Sequence, residues 1–272
     1  MRQVQVKGYI QVYSRKTRDQ IMKAGGKILS AAGLEGMTSD LFACVDELIK
    51  NAVKADYKYI LLRDRIFKKL RQLRPDKTPE EINQNIDSLM KHAENFNRMA
   101  EEILNKEDLS AIVREILNEE SKLLTIKNRA YLEKRSYTRE EENEIMGLSM
   151  IRGMQKQIRE HNIKIMLRIQ ADDDFMYIEV TNTAPILTRD INRIHDKRDE
   201  HRRYREEGRE HEFFVDNIDT SESGFGFGYA KIDVLLYNMG VTSERAITII
   251  SSINTTVMLT LPMDQLRKHF AT

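Results

Sequence analysis

Two short patterns hold the residues that could do chemistry. In TSDLFACVDELIKNAVKAD, residues 38 to 56, Glu47, Asn51 and Lys54 fall at i, i+4 and i+7, so a helix would set them in one polar stripe. Beside that stripe Leu41, Val45, Leu48, Ile49, Ala52 and Val53 recur at helical spacing and define a buried face, with Thr38 or Ser39 available as the cap. In SESGFGFGYAKIDVLL, Gly224, Gly226 and Gly228 alternate directly ahead of a run of helical period that begins near Phe227. Glycine permits positive φ and close backbone approach, and a helix start offers amide donors without partners, a combination that suits a phosphate. Neither a Gly-x-Gly-x-x-Gly after a strand nor the Lys-Ser/Thr pair of a P-loop is present. Taken alone, the glycines are equally a flexible loop, and without them the polar stripe reads as a solvated helix face.

The elements that must position these residues are legible as changes of period. RQVQVKGYIQVY alternates as a strand does, and RKTRDQIMKAGGKILSAAG reads as a helix interrupted by Gly25 and Gly26 and closed by Gly33. From residue 56 to residue 162 the pattern is helical, with no proline between Pro79 and Pro185. Thr78 to Glu81 and Thr138 to Glu141 are capping boxes. The first precedes Ile82, Ile86, Leu89, Ala93, Phe96 and Ile103, and the second Ile145, Leu148, Ile151, Met154 and Ile158. So long a stretch is more than a connection and reads as a helical insertion. The period then becomes two. IKIMLRIQ and FMYIEVTN form a hairpin around ADDD, in which Met176, Ile178, Val180 and Asn182 share one side. RAITIISS and TTVMLTLP form a second strand pair with INTT as the turn, and the charged run RDINRIHDKRDEHRRYREEGREHE lies between the two hairpins.

Composition removes several functions. With 272 residues and 40% hydrophobic content the chain can bury a substantial core. A net charge of +1 gives no general attraction to nucleic acid or anionic lipid. No apolar run is long enough for a membrane span, and MRQVQVKGYIQVYS has no signal-peptide character, so a cytoplasmic protein is expected. The single Cys44 rules out an intrachain disulfide framework and a cysteine metal cluster, and six scattered histidines form no ligand constellation.

In combination the motifs resemble one family. DELIKNAVKA looks like the N box, and SGFGFGYAKIDVLLYNMG with NTTVMLTLP looks like the second glycine box and final strand, of the GHKL or histidine kinase-like ATPase superfamily. That superfamily holds gyrase B, the heat-shock chaperones of the ninety-kilodalton class, histidine kinases and MutL. The resemblance covers residues 1 to 55 and 163 to 263 and leaves the insertion unexplained. It implies an α+β two-layer sandwich, a mixed, mainly antiparallel sheet with helices on one face, divided as an ATP-binding domain over 1–55 and 163–272 and an all-helical insertion over 56–162. It further implies that Asn51 holds a magnesium ion bridging the phosphates, and that Glu47 orients or deprotonates the attacking water or hydroxyl. Lys54 would touch a phosphate, Gly224, Gly226 and Gly228 would line the phosphates, and Thr255 or Thr256 would reach the base.

This chain departs from the family at two places. The first glycine box is usually Asp-x-Gly-x-Gly, but VTNTAPIL has Asn182 for the aspartate and Ala184 for a glycine. An asparagine carbonyl still accepts from the adenine amino group, while its amide also donates, which leaves base discrimination differently arranged. No phosphoacceptor histidine is evident, because HAENFNR around His92 lacks the acidic and proline pattern of such a site. The topology is closest to the anti-sigma-factor serine kinases. The charged run falls where the family has a mobile lid; Arg202, Arg203 and Arg205 would meet phosphates there or belong to a salt-bridged exposed helix, with His195 to His211 solvated. The expectation is therefore Mg-ATP binding with slow phosphoryl transfer or hydrolysis, coupled to a protein partner or protein substrate. The alternative is a non-catalytic adaptor whose helical insertion is the partner surface.

Overall fold

The computed structural model describes residues 4–217 and 227–270. The chain divides into two compact units, Met1–Ala55 with Lys164–Thr272, and Asp56–Ile163. In chain order the first unit begins with β1 (Val4–Ile10), α1 (Arg15–Ala32) and the long α2 (Thr38–Leu73), whose second half belongs to the other unit. There follow α3 (Pro79–Met90), α4 (Ala93–Leu104), α5 (Leu109–Leu132), α6 (Arg139–Gly147) and α7 (Ser149–Glu160). The chain returns with β2 (Ile165–Ala171), β3 (Phe175–Asn182), α8 (Thr188–Glu206), α9 (Glu210–Asp216), α10 (Phe227–Asn238), α11 (Ser243–Ala246), β4 (Ile247–Ser251), β5 (Thr255–Pro262) and α12 (Met263–Phe270). No helix among the described residues is long and apolar enough to cross a membrane.

The first unit is an α+β fold on a five-stranded open sheet ordered β1-β2-β3-β5-β4. Every pairing is antiparallel, so the expected mixed sheet is corrected. The reason lies in the connections: β2–β3 is a hairpin, and α8 to α11 lead to the edge strand β4, from which a second hairpin lays β5 antiparallel between β4 and β3. Strict alternation in β2, β3 and β5 buries one side of each strand and leaves the other half-exposed. The buried side carries Leu167, Ile178, Val180 and Leu259, which share one apolar core with Leu29 of α1, Leu48 of α2 and Ile232 of α10. Each such side chain contributes about 1.5–3 kcal/mol by leaving water. The opposite face is polar, with an Arg168–Glu179 ion pair across β2 and β3 and a Thr181–Thr256 hydroxyl bond of 2.8 Å across β3 and β5. Asp172 closes the β2–β3 turn by accepting from the amides of Asp174 and Phe175.

Helix α1 runs unbroken through Gly25 and Gly26, which corrects the expected interruption. Ser14 caps its start by accepting from the Thr17 amide, and Gly33 ends it in the left-handed region at φ 69°. Gly25 is required by packing, because a Cβ there would lie 2.8 Å from Cζ of the Phe42 ring. Thr38 is the first residue of α2, and its hydroxyl donates back to the Glu35 carbonyl at 2.5 Å instead of capping the helix as an acceptor.

The second unit contains helices only. Both capping boxes form, Thr78 with Glu81 ahead of α3 and Thr138 with Glu141 ahead of α6. The apolar series that follows each box is broken once, at Lys91–His92 and at Leu148, so each is carried by two helices. His92 is exposed at the N-cap position of α4. Arg135 holds Glu141 through two bonds of 2.6 and 2.8 Å, which together with the Thr138 amide keep that carboxyl at a pKa of about 2.

Candidate functional site

The first cluster is built on α2 and α10. Burying Leu41, Val45, Leu48, Ile49 and Ala52 fixes the rotation of α2 about its axis and leaves Glu47, Asn51 and Lys54 half-buried along its flank. Gly228, second residue of α10, packs directly on that flank: a Cβ built there would lie 2.3 Å from Glu47 Oε1 and 2.8 Å from Asn51 Nδ2. Only a residue without a side chain lets the first turn of α10 approach so closely, and that turn carries amide N–H groups that the helix itself does not use. Asn51 Nδ2 is buried and has no hydrogen-bond partner among the described residues, a costly state for a polar atom. Lys54 follows one turn on. Burial holds its ammonium below the ordinary lysine value, opposed by the Glu47 carboxylate and reinforced by Lys231 and Lys50. Tyr229, adjacent to Gly228, is buried, and burial pushes its hydroxyl up, with Arg198 opposing and Glu47 adding to the shift. No group of three or more His, Cys, Asp or Glu among the described residues is placed to hold a metal ion.

The second cluster lies at the end of β3 on the same helix-covered side of the sheet. Asn182 ends the buried row of β3 and pairs in register with Thr255 of β5. Its Nδ2 donates to the Ala184 carbonyl at 3.3 Å, and Thr255 Oγ1 donates to the same carbonyl at 2.7 Å. Asn182, Ala184 and Thr255 are all buried. Thr256 is one residue along the strand and therefore points to the opposite face, where its hydroxyl meets Thr181. Of the two expected threonines, Thr255 belongs to the cluster and Thr256 is excluded from it. Gly224 and Gly226 lie outside the described residues, so Gly228 alone of the three glycines is placed.

The charged run forms a helical hairpin, α8 and α9, turned at Gly208 with φ 72°. Of the three arginines expected at a lid, Arg202 pairs with Asp199 and Arg205 with Glu210 and over the Tyr237 ring, while Arg203 is exposed; Arg209 pairs with Glu207 and Glu212. His201 is buried, not solvated as expected, with its ring edge-on to Phe213 and Phe214 at 5.0 and 5.5 Å. Its Nε2 lies 3.1 Å from Glu210 Oε1 without hydrogen-bond geometry. Burial lowers its pKa, against the pull of Glu210 and Asp233. Sequence reasoning missed Arg198 and Asp233, which join α8 to α10 through bonds of 2.9 and 2.9 Å. One signal was available: Asp233 is the single acid of α10, next to the apolar run Val234 to Leu236. No family model, no curated protein and no solved structure matches this chain.

Proposed function

We propose that the first unit is a Mg-ATP-binding domain of the histidine kinase-like type, which couples slow phosphoryl transfer or hydrolysis to a protein partner or protein substrate. The observation that carries this reading is the contact of Gly228 with Glu47 and Asn51. It brings a helix start, a carboxylate and an unpaired buried amide to one point, from segments that are far apart in the chain. The donor set fits a phosphate with a hard cation. First-turn amides of α10 donate to phosphate oxygens, and the Asn51 amide, turned by half a rotation, offers Oδ1 as the oxygen ligand such a cation prefers. Phosphoryl transfer needs charge neutralisation more than covalent help, which the cation supplies when bound. In this reading Glu47 would orient the attacking water or hydroxyl and take its proton, and Lys54 would meet a phosphate oxygen. Asn182, fixed by Ala184 and Thr255, is the residue for the base.

Calorimetric titration with a non-hydrolysable ATP analogue, with and without magnesium and beside the GTP analogue, tests the reading. Magnesium-dependent binding of the adenine analogue is expected. Glu47→Ala should abolish turnover while sparing affinity, and Asn51→Ala should lose the magnesium-dependent part of binding. Near-wild-type turnover in both variants would defeat the assignment.

A non-catalytic adaptor is the second reading, favoured by Ala184: it stands where a glycine is expected and is 1% exposed, with its carbonyl already bonded twice. Nucleotide-dependent thermal stabilisation separates the two. Binding contributes RT ln(1 + [L]/Kd), about 2.7 kcal/mol at a hundredfold excess over Kd, and a closed pocket contributes nothing.

A further inference from the structure

The Arg198–Asp233 ion pair stands apart from the other pairs of the first unit. It joins two helices separated by 35 positions, its two bonds are 2.9 Å each, and its side chains are 12% and 5% exposed. Most exposed pairs on α8 contribute little, but a buried bidentate pair fixes geometry, because Asp233 deprived of its two bonds from Arg198 would be a buried carboxylate at a cost. Asp233 lies one turn from Tyr229 on the same face of α10, and Tyr229 adjoins Gly228. Tyr229 is within electrostatic reach of both Arg198 and Glu47, and Asp233 and Glu47 both act on Cys44, one turn before Glu47 on α2, so the ion pair holds α10 along the stretch of α2 that carries Glu47 and Asn51.

We propose that Arg198 and Asp233 are positioning residues for the first turn of α10: their ion pair, anchored on the α8–α9 hairpin, sets how closely Gly228 approaches Glu47 and Asn51. The consequence for ligand affinity rests on the nucleotide reading above; the control of α10 does not. The hairpin is suited to the part. It is internally stiff, with Lys197 Nζ donating to Asn217 Oδ1 at 2.6 Å and His201 packed on Phe213 and Phe214. No contact between Arg198 and the ligand is required.

The test uses the full chain carrying Arg198→Lys, Arg198→Gln, Asp233→Asn or the exchanged pair R198D/D233R. Amide hydrogen exchange is read without nucleotide over the first turn of α10, and the magnesium-ATP-analogue affinity is read in parallel. Arg198→Gln and Asp233→Asn are expected to speed exchange in that turn at least tenfold and weaken the analogue at least tenfold. Arg198→Lys, which keeps the charge but one bond, should fall between, and the exchanged pair should restore both readouts toward wild type. A merely structural pair would lower the melting temperature without this graded, reversible link between exchange and affinity. Unchanged exchange in the first turn of α10 in both neutral variants, measured where they remain folded, overturns the proposal. Faster exchange and rescue by the exchanged pair, in a protein whose wild type binds no nucleotide, upholds the positioning role and overturns the nucleotide reading instead.

Discussion

Asn182 and Thr255 stand opposite each other across β3 and β5 and converge on one acceptor, the carbonyl of Ala184. The shorter bond, 2.7 Å, belongs to Thr255. Thr255→Val keeps the shape and removes that donor, so the carbonyl retains Asn182 and the cost should stay near 1 kcal/mol. For a unit of this size that is about 2–4 °C in the melting temperature. The more informative readout is base preference. If the Thr255 hydroxyl fixes the Asn182 amide, the valine variant should narrow the difference between adenine and guanine analogues. An unaltered preference would mean that Thr255 only ties the strand end.

Asn51 should behave as a residue kept at the expense of stability. Its Nδ2 is buried without a partner among the described residues, a state that costs about 1–3 kcal/mol. Asn51→Leu, close in volume, removes the unpaired group and adds apolar surface to the flank of α2. The variant should melt several degrees above wild type in the absence of ligand and lose all magnesium-dependent stabilisation by nucleotide. A lower melting temperature would show that the amide is satisfied in solution and would weaken its case as a ligand.

Gly228→Ala separates function from stability in another way. Alanine is favoured over glycine inside a helix by about 1 kcal/mol. The atoms the new Cβ would meet are the far ends of Glu47 and Asn51, at 2.3 and 2.8 Å. Both can swing aside at modest cost, but only by leaving the positions in which they converge. Urea unfolding should therefore shift by less than about 1 kcal/mol, while nucleotide binding and turnover disappear. Retained turnover would count against the convergence of these three residues as the site.

What the sequence disclosed follows a physical division between local and distant effects. Thr78 with Glu81 and Thr138 with Glu141 act across three residues, so their capping boxes were legible from spacing alone. The buried rows of β2, β3 and β5 were legible because period two leaves no choice once one face is apolar. The course of α1 through Gly25 and Gly26 was not, since the reason for Gly25 is the Phe42 ring, which arrives from another helix. Thr255 could be told from Thr256 only when the register Asn182↔Thr255 was known. Arg198 pointed to nothing until α10 placed Asp233 beside it, and His201 read as solvated because its cover comes from Phe213 and Phe214 across a turn.

His201 should make the hairpin sensitive to acid, and the sign follows from burial. Its ring is enclosed by Phe213 and Phe214; Glu210 of α9 and Asp233 of α10 pull toward the charged form, while Arg205 of its own helix opposes it. Burial outweighs the carboxylates, so the folded pKa lies below the ordinary value of about 6.5. A base whose folded pKa is depressed contributes fully above that ordinary value, where it is neutral in both states. The contribution declines as pH falls from about 6.5 toward the folded pKa, because only the unfolded chain then takes the proton, at up to about 1.4 kcal/mol per pH unit. His201→Leu keeps an apolar filling and removes the titration. Between pH 7.5 and pH 5.5 the wild type should lose more melting temperature than the leucine variant, with the extra loss confined to the range below about 6.5. Local proteolysis within 188–217 should rise over the same range in the wild type only, because the opened hairpin takes the proton that the buried ring refuses. Parallel slopes for the two proteins would show that Glu210 and Asp233 compensate the buried charge fully, and the hairpin would then be insensitive to pH.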